Sequence, residues 1–483
     1  MSSDLIEHLV GGHPLKSDTG NSHPVINPAS DSPLARTPLD DVSAVDAAVK
    51  AASEAFPQWA ATPVGDRIQH LFRYKQILEE KASDLADIVV EEHGKTKAEA
   101  LGSVRRGIDC VEHACAAPLL MMGRTLPQIA VSSSFCRTED EGGVGIDSAL
   151  DRVPLGVCAG ITPFNFPVMV PMWMWPMAIA CGNTFVLKPS ERDPLSAIRS
   201  IELAHEAGIP DGVLNVVHGG ADVVNHLLAH NDIRAISFVG STRAGHHIYS
   251  TAAANGKRVQ CMCGAKNYSI IMPDANQEAA IDGVLGSAFG NTGQRCLAGS
   301  VVVCVGDAAD WFIPGLIKAA EQIKVGPGNE ADTTMGPLQD KDALDRVKRY
   351  IDTGASEGAI LALDGRTTTH PQNACFIGPT IFDNVTPDMA IAREEIFGPV
   401  LSILKFDSED EAVEIANDTP YGLTNYVQTQ DGERANRMAR RLRSGMVEMN
   451  GQSRSAGAPF GGMKQSGNGR EGGTWGIEDF LEV

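Results

Sequence analysis

The sequence predicts an α/β protein built on two doubly wound parallel sheets, from three observations. From about residue 155, short apolar runs alternate with amphipathic stretches. A glycine-bearing turn, "FVGSTRAG" (238–245), carries one such run directly into a helix. A second set of apolar runs follows residue 300. Alternation at this pace brings parallel strands together through helical crossovers. At 483 residues the chain exceeds one ordinary core, so two or three domains are expected.

Taken in order, "GVCAGI" (156–161) and "NTFVLKP" (183–189) read as buried strands. "DPLSAIRSIELAHEAGIP" (193–210) reads as a helix: Asp193 can cap it, Pro194 suits its first turn, Leu195, Ile198 and Ile201 share a face, and Gly208 stops it. "GVLNVVHG" (212–219) is a strand, "ADVVNHLLAH" (221–230) a helix and "AISFVG" (235–240) a strand. "SVVVCVG" (300–306), "TIFDNV" (380–385) and "VLSILKF" (400–406) supply a second α/β domain. Residues 129–152 hold strand-like pieces around a Gly-Gly turn with little apolar content, the pattern of a projecting hairpin whose edges need a partner. The terminal "GIEDFLEV" (476–483) is expected to present a similar edge.

Forty basic against sixty-one acidic residues leave a net charge of −21, which argues against a nucleic-acid backbone or an anionic membrane as partner. Small anionic substrates stay open, because they respond to the local field of a cleft. The first residues carry Asp4 and Glu7 and no Lys or Arg, so neither a secretory nor a mitochondrial leader is expected. "VMVPMWMWPMAIAC" (168–181) is too short to span a bilayer and is interrupted by Pro171 and Pro176. The ten cysteines include no CxxC pair, and the CxC at Cys261 and Cys263 has no histidine cluster nearby. No metal site is expected, and the thiols read as the reduced cysteines of a cytoplasmic protein.

One cysteine has unusual company. In "NTGQRCLAGS" (291–300), Cys296 follows a glycine, a glutamine and an arginine. Most free cysteines are inert core residues, and that reading stands beside a second one: a neighbouring cation and exposed N–H groups favour thiolate, the nucleophilic form. Gly240, Ser241 and Gly245 stand where a strand opens into a helix, a junction that lets phosphate approach backbone N–H groups. The spacing is not GxGxxG, and an ordinary turn would look alike. In "LKPSE" (187–191), Lys188 and Glu191 place a cation and an anion after a strand, where a ribose could sit or where solvated loop residues would be equally ordinary.

Together these stretches resemble the aldehyde dehydrogenase family over nearly the whole chain. "PFNFP" (163–167), "LKPSE", "FVGSTRAG", "GQRC" (293–296), "EEIFGPV" (394–400) and "APFGGMKQSGNGRE" (458–471) stand in that family's order and spacing. The resemblance implies an NAD-binding domain from residues 1–128 and 150–262, a catalytic domain from 263–464, and an oligomerisation arm from 129–149 and 465–483. It also implies a homo-oligomer, dimer or tetramer. Cys296 would attack the aldehyde carbon, while the Asn165 side chain and the Cys296 N–H hold the oxyanion, worth roughly 3–4 kcal/mol per donor. Hydride would leave to the nicotinamide, and a thioester would remain on Cys296. Lys188 and Glu191 would hold the adenosine ribose, Gly240 and Ser241 the pyrophosphate, and Glu395 and Phe397 the nicotinamide ribose and ring. Thr162 and Phe164 complete the implied cofactor site. A carboxylate at Glu191 favours NAD over NADP, since it would repel a 2′-phosphate.

A narrower resemblance, over "RRGIDCVEHACAAPLLMMG" (105–123), residues 162–194 and "CGAKNYSIIMPDAN" (263–276), is to the methylmalonate-semialdehyde dehydrogenase branch, which transfers its acyl group to coenzyme A. "NGQSRSAGAPFGGMKQSGNGRE" (450–471) is closer to hydrolytic members. Met262 falls where hydrolytic relatives carry a water-activating glutamate, and Met174 where they carry a lysine, so acyl transfer to coenzyme A is expected over hydrolysis. Glu471, which hydrolytic relatives share, could still act as a remote base. Arg105, Arg106, Arg295 and Arg454 are the candidate partners of an acidic group on the substrate, since guanidinium grips carboxylate in a two-pronged fork. A semialdehyde of the malonate or methylmalonate type is therefore expected; the alternative is a hydrolytic enzyme for a succinate-semialdehyde-like or sulfonate-bearing aldehyde. Two readings outside the family are a catalytically silent protein on this fold and a thiol hydrolase using a Cys/His pair.

Overall fold

Two sheets carry the molecule, and their strand order fixes where ligands can enter. The computed structural model describes residues 4–131, 145–368, 374–451 and 455–483. Arg454 and the tip of the expected hairpin lie outside the described residues. The first sheet runs His13–Leu15, His8–Val10, Leu214–Val216, Thr184–Lys188, Val157–Ile161, Ile233–Val239, Arg258–Met262, Gly467–Asn468. Its five central strands are parallel. Numbered along the chain they run 3-2-1-4-5, the doubly wound order. Val157–Ile161 and Thr184–Lys188 are buried at every position, as strands covered by helices on both faces must be.

The second sheet runs Ile360–Leu363, Thr380–Asp383, Val400–Phe406, Val301–Val305, Tyr268–Ile271, Thr424–Gln428, Met446–Met449. All its pairings are parallel except the first. The apolar stretch around Pro171 forms the helix Pro171–Ala180, buried on nearly every face inside the first core. Burial all round explains a composition too apolar for an amphipathic helix.

Three expectations change in detail. The expected helix at 193–210 spans Leu195–Glu206, and Asp193 does not cap it. Glu92 does so from another helix, accepting hydrogen bonds from Leu195 N (2.7 Å) and Ser196 N (3.0 Å). Asp193 instead takes the amide of Gln339 in a buried contact. The hairpin exists as Arg124–Val131 against Gly145–Leu150, with Leu126, Ile129 and Ile146 exposed. The terminal stretch does not project with it: Gly467–Asn468 extends the first sheet, Leu481–Glu482 pairs with Val153–Pro154, and Ile477 and Phe480 are buried in the first core. Apolar side chains at these positions gain more from that core than from an exposed edge.

Candidate active site

In a doubly wound sheet, ligands enter where the strand order reverses, outside the carboxyl ends of the strands. Here that point lies between Val157–Ile161 and Ile233–Val239, which pair in register with Ile161 opposite Phe238. Ile161 also stands opposite Lys188, so the segments beginning at Thr162, Ser190 and Gly240 open side by side. A cavity of about 630 Å³ fills this place. It is lined by Thr162, Phe164, Asn165, Lys188, Glu191, Gly240, Ser241, Glu395 and Phe397, bringing together every residue expected at the cofactor.

The local reasons are legible. Ser241 caps the helix Thr242–Ala254 and lines the cavity with Ala244, so the positive N-terminal end of that helix stands at the cavity, as anion-binding requires. A Cβ on Gly240 would press on the Phe238 ring, at 2.5 Å. Lys188 Nζ donates to Glu191 at 3.0 Å. Burial pushes the Glu191 carboxyl upward, but the Lys188 cation, a backbone hydrogen bond and Arg192 together outweigh it, and the pKa ends below the usual value. The buried Thr162 hydroxyl has no hydrogen-bond partner among the described residues, a polar atom able to take one. Arg192 and Arg346 also line the cavity and were not foreseen; Arg192 pairs with Asp340 at 2.7 Å and lies over the Phe164 ring. Cations, a helix N-terminus and the Thr162 hydroxyl fit a dinucleotide.

Glu395 accepts from Ala265 N at 2.9 Å. Exclusion of water pushes its pKa up to about 7, against the pull of that N–H and of Lys266. A Cβ at Gly264 would strike the Glu395 carboxylate, so the glycine lets that carboxylate keep its present position.

Cys296 lines this cavity and also a second, narrower one of about 130 Å³. Its loop leaves the helix Gln277–Phe289 through Asn291, Thr292 and Gly293, which hold φ of 53°, 55° and 70°. Such left-handed backbone costs about 1 kcal/mol or more at a residue with a side chain and persists only where its surroundings enforce it. They do: Asn291 N donates to Glu99 Oε1 (2.5 Å), Thr292 Oγ1 to Gly336 O (2.9 Å), and Asn267 Nδ2 to Cys296 O (2.8 Å). Asn165 is buried with its Nδ2 donating to Gln294 O at 3.0 Å, so its amide faces the nucleophile loop.

The narrower cavity is lined by Arg106, Asp109, Cys110, His113, Phe166, Trp173, Arg295, Phe460 and Glu471 among others. Of the expected arginines, Arg106 and Arg295 are there. Arg295 Nη2 also pairs with Glu99 Oε1 at 3.3 Å. Arg105 is not at the cavity: it is exposed and ion-paired with Glu79, because its helix, Lys97–Ala114, turns neighbouring residues to different faces. Met262 and Met174 are buried in the first core and line neither cavity. Glu471 is buried in the wall, with Oε1 accepting from Gln260 Nε2 at 2.6 Å and Oε2 without a partner among the described residues. Burial raises its pKa well above the usual range, which favours the protonated acid. His113, distant in sequence from Cys296, shares the cavity and contacts Gly473 O through Nε2.

Residues 15–483 match the model of the aldehyde dehydrogenase family. The malonate-semialdehyde dehydrogenase 2 of Geobacillus kaustophilus is 49% identical over 464 residues, 95% of this chain and 93% of the relative. The crystal structure of methylmalonate-semialdehyde dehydrogenase from Oceanimonas doudoroffii superimposes with a TM-score of 0.94 at 40% identity, covering 100% of this chain and 97% of that one. An NAD+ complex of an aldehyde dehydrogenase from Bacillus cereus gives 0.92 at 34% identity, covering 99% and 95%. A wall shared by a large cavity and a narrow one, with Cys296 lining both, is thus set in a chain that belongs to the aldehyde dehydrogenase family.

Proposed function

We propose that the chain oxidises a short acidic aldehyde of the malonate or methylmalonate semialdehyde type with NAD, through Cys296, and passes the acyl group to coenzyme A. The observation that carries this is the position of Cys296 on the wall common to both cavities. Aldehyde entering the narrow cavity meets the sulfur on one side, while the larger cavity opens on the other. NAD in the larger cavity supplies the hydride acceptor. Thr162, Phe164, Lys188, Glu191, Gly240, Ser241, Glu395 and Phe397 would hold it, within the unit formed by residues 1–128 and 150–262 and its junction with 263–464.

The Cys296 thiolate adds to the carbonyl carbon, and the Asn165 amide with the Cys296 N–H receives the oxyanion. Loss of hydride from that adduct leaves a thioester on Cys296. Arg106 and Arg295, on the wall of the narrow cavity, would face the substrate's acidic group. For release, the positions of Met262 and Met174 offer no base, and burial biases Glu471 toward its protonated form. Lacking a general base slows water by roughly 10²–10⁴. A thiol is nucleophilic without such help, so coenzyme A is the acceptor. Hydrolysis is the second reading, favoured by one observation, the Glu471 Oε2 in the cavity wall without a partner among the described residues.

Steady-state NADH formation with and without coenzyme A, with the product weighed by mass spectrometry, separates the two. Acyl-coenzyme A is expected; free acid formed at full speed without coenzyme A would reject the acylating reading. We also infer a homo-oligomer, dimer or tetramer, from the exposed Leu126, Ile129 and Ile146 of the hairpin, to be checked by light scattering. No disulfide joins the described cysteines, in keeping with a reducing compartment such as the cytoplasm. No helix among the described residues is long and apolar enough to cross a membrane.

A further inference from the structure

Behind the oxyanion site lies a buried cation that the chemistry above does not use. The helix Val64–His93 stops at Gly94, whose φ of 86° is left-handed and whose missing Cβ makes room for Pro337 and Pro28. The turn drives Lys95 inward, where it is 1% exposed. Its Nζ donates to the carbonyl oxygen of Asn165 at 2.6 Å and lies 4.3 Å from the centre of the Phe166 ring, which lines both cavities. No carboxylate among the described residues lies within ion-pair distance of it. A buried ammonium without a paired anion is costly, and an apolar side chain of the same length would fill the space.

What the ammonium holds is specific. Asn291 Nδ2 reaches the same Asn165 carbonyl at 3.5 Å and donates to Gln294 O at 3.0 Å, the oxygen that also takes the Asn165 side chain. One turn onward, Thr96 and Glu99 form a capping box, and Glu99 grips Asn291 N and Arg295. The segment 92–99 therefore fastens both halves of the oxyanion site.

We propose that Lys95 is a positioning residue for acylation: its ammonium clamps the Asn165 peptide and so aims the Asn165 amide at the oxyanion beside Cys296. This rests on the role given to Asn165 above. The surroundings also set its charge. Burial lowers its pKa to about 7; Arg295 and Arg106 add to that effect, and Glu99 and Asp193 oppose it. His93 and Glu92 face it from the end of the preceding helix, with burial holding the histidine neutral and raising the glutamic acid to about 7. Lys95 is therefore charged below neutrality and loses its charge above it.

The test compares two reactions of the same thiol: the NADH burst with malonate semialdehyde, which needs an oxyanion site, and alkylation of Cys296 by iodoacetamide, which does not. Dividing one rate by the other cancels thiolate ionisation. In Lys95→Met the ratio should fall about tenfold or more, with alkylation within about twofold of wild type. Asn165→Ala should lower the ratio as well. If Asn165→Ala lowers it and Lys95→Met does not, the clamp is wrong and the oxyanion reading stands. If neither lowers it, the oxyanion reading itself fails. Should Lys95→Met not fold, the wild-type enzyme still decides: the ratio should decline as pH rises from about 6 to about 8.5, and a flat ratio would overturn the proposal.

Discussion

Phe164 and Phe397 meet edge to face on the cofactor cavity wall, with ring centroids 6.0 Å apart and planes at 78°. The first follows a strand of one sheet and the second precedes a strand of the other. Their contact is therefore one of the points at which the two halves close on a shared cavity. Phe397 holds a φ of 57°, a conformation costing roughly 1–3 kcal/mol for a bulky residue. Packing of this kind between the halves is what can sustain it.

Cys296→Ala should abolish aldehyde-dependent NADH formation, by roughly 10³ or more. The dissociation constant for NAD, followed by fluorescence titration, should stay within about twofold, since the sulfur only borders that cavity. Retained activity in this variant would end the reading of the site.

Glu191→Gln should erode the preference for NAD. The carboxylate repels a 2′-phosphate, and the neutral amide leaves Lys188 without its counter-charge. The ratio of kcat/KM for NAD over NADP should drop about tenfold. An unchanged ratio would move cofactor discrimination to another part of the cavity, such as Arg192.

Arg106→Leu should lower kcat/KM for malonate semialdehyde by about 10- to 100-fold while sparing propanal, because a charge-assisted bond to the acid group is lost. Arg105→Leu, removing only a surface pair with Glu79, should stay within about twofold for both. A larger effect at Arg105 than at Arg106 would invert the assignment.

Glu471→Gln should stabilise the fold increasingly as pH rises. Burial lifts the folded pKa of Glu471 above its unfolded value, so the native state favours the protonated acid. That contribution is complete below the unfolded value and is lost as pH climbs toward the folded one. The amide escapes this loss. The difference in melting temperature between variant and wild type should therefore widen from pH ~5 to pH ~8; a constant difference would mean that Glu471 is ionised in the fold.

Much of this was legible in the chain because local chemistry decides it. Apolar runs such as "GVCAGI" can only be strands buried on both faces, and a serine following Val239 and Gly240 caps a helix wherever that helix packs. The arginine beside Cys296 and the Lys188–Glu191 pair are likewise neighbours in sequence, so their company could be read directly. Tertiary structure decided whatever depends on which side chains meet across the fold. It set Glu92, not Asp193, on the helix at 195; it buried Ile477 and Phe480; and it turned Arg105 to Glu79 and Arg106 to the cavity. It alone placed Lys95 against Asn165. Nothing local in "HGKTKAE" (93–99) reveals that its first lysine reaches a carbonyl seventy residues on. Sequence fixes the direction of a chain and the chemistry of its turns; only the packed sheets determine which distant atoms come within 3 Å of one another.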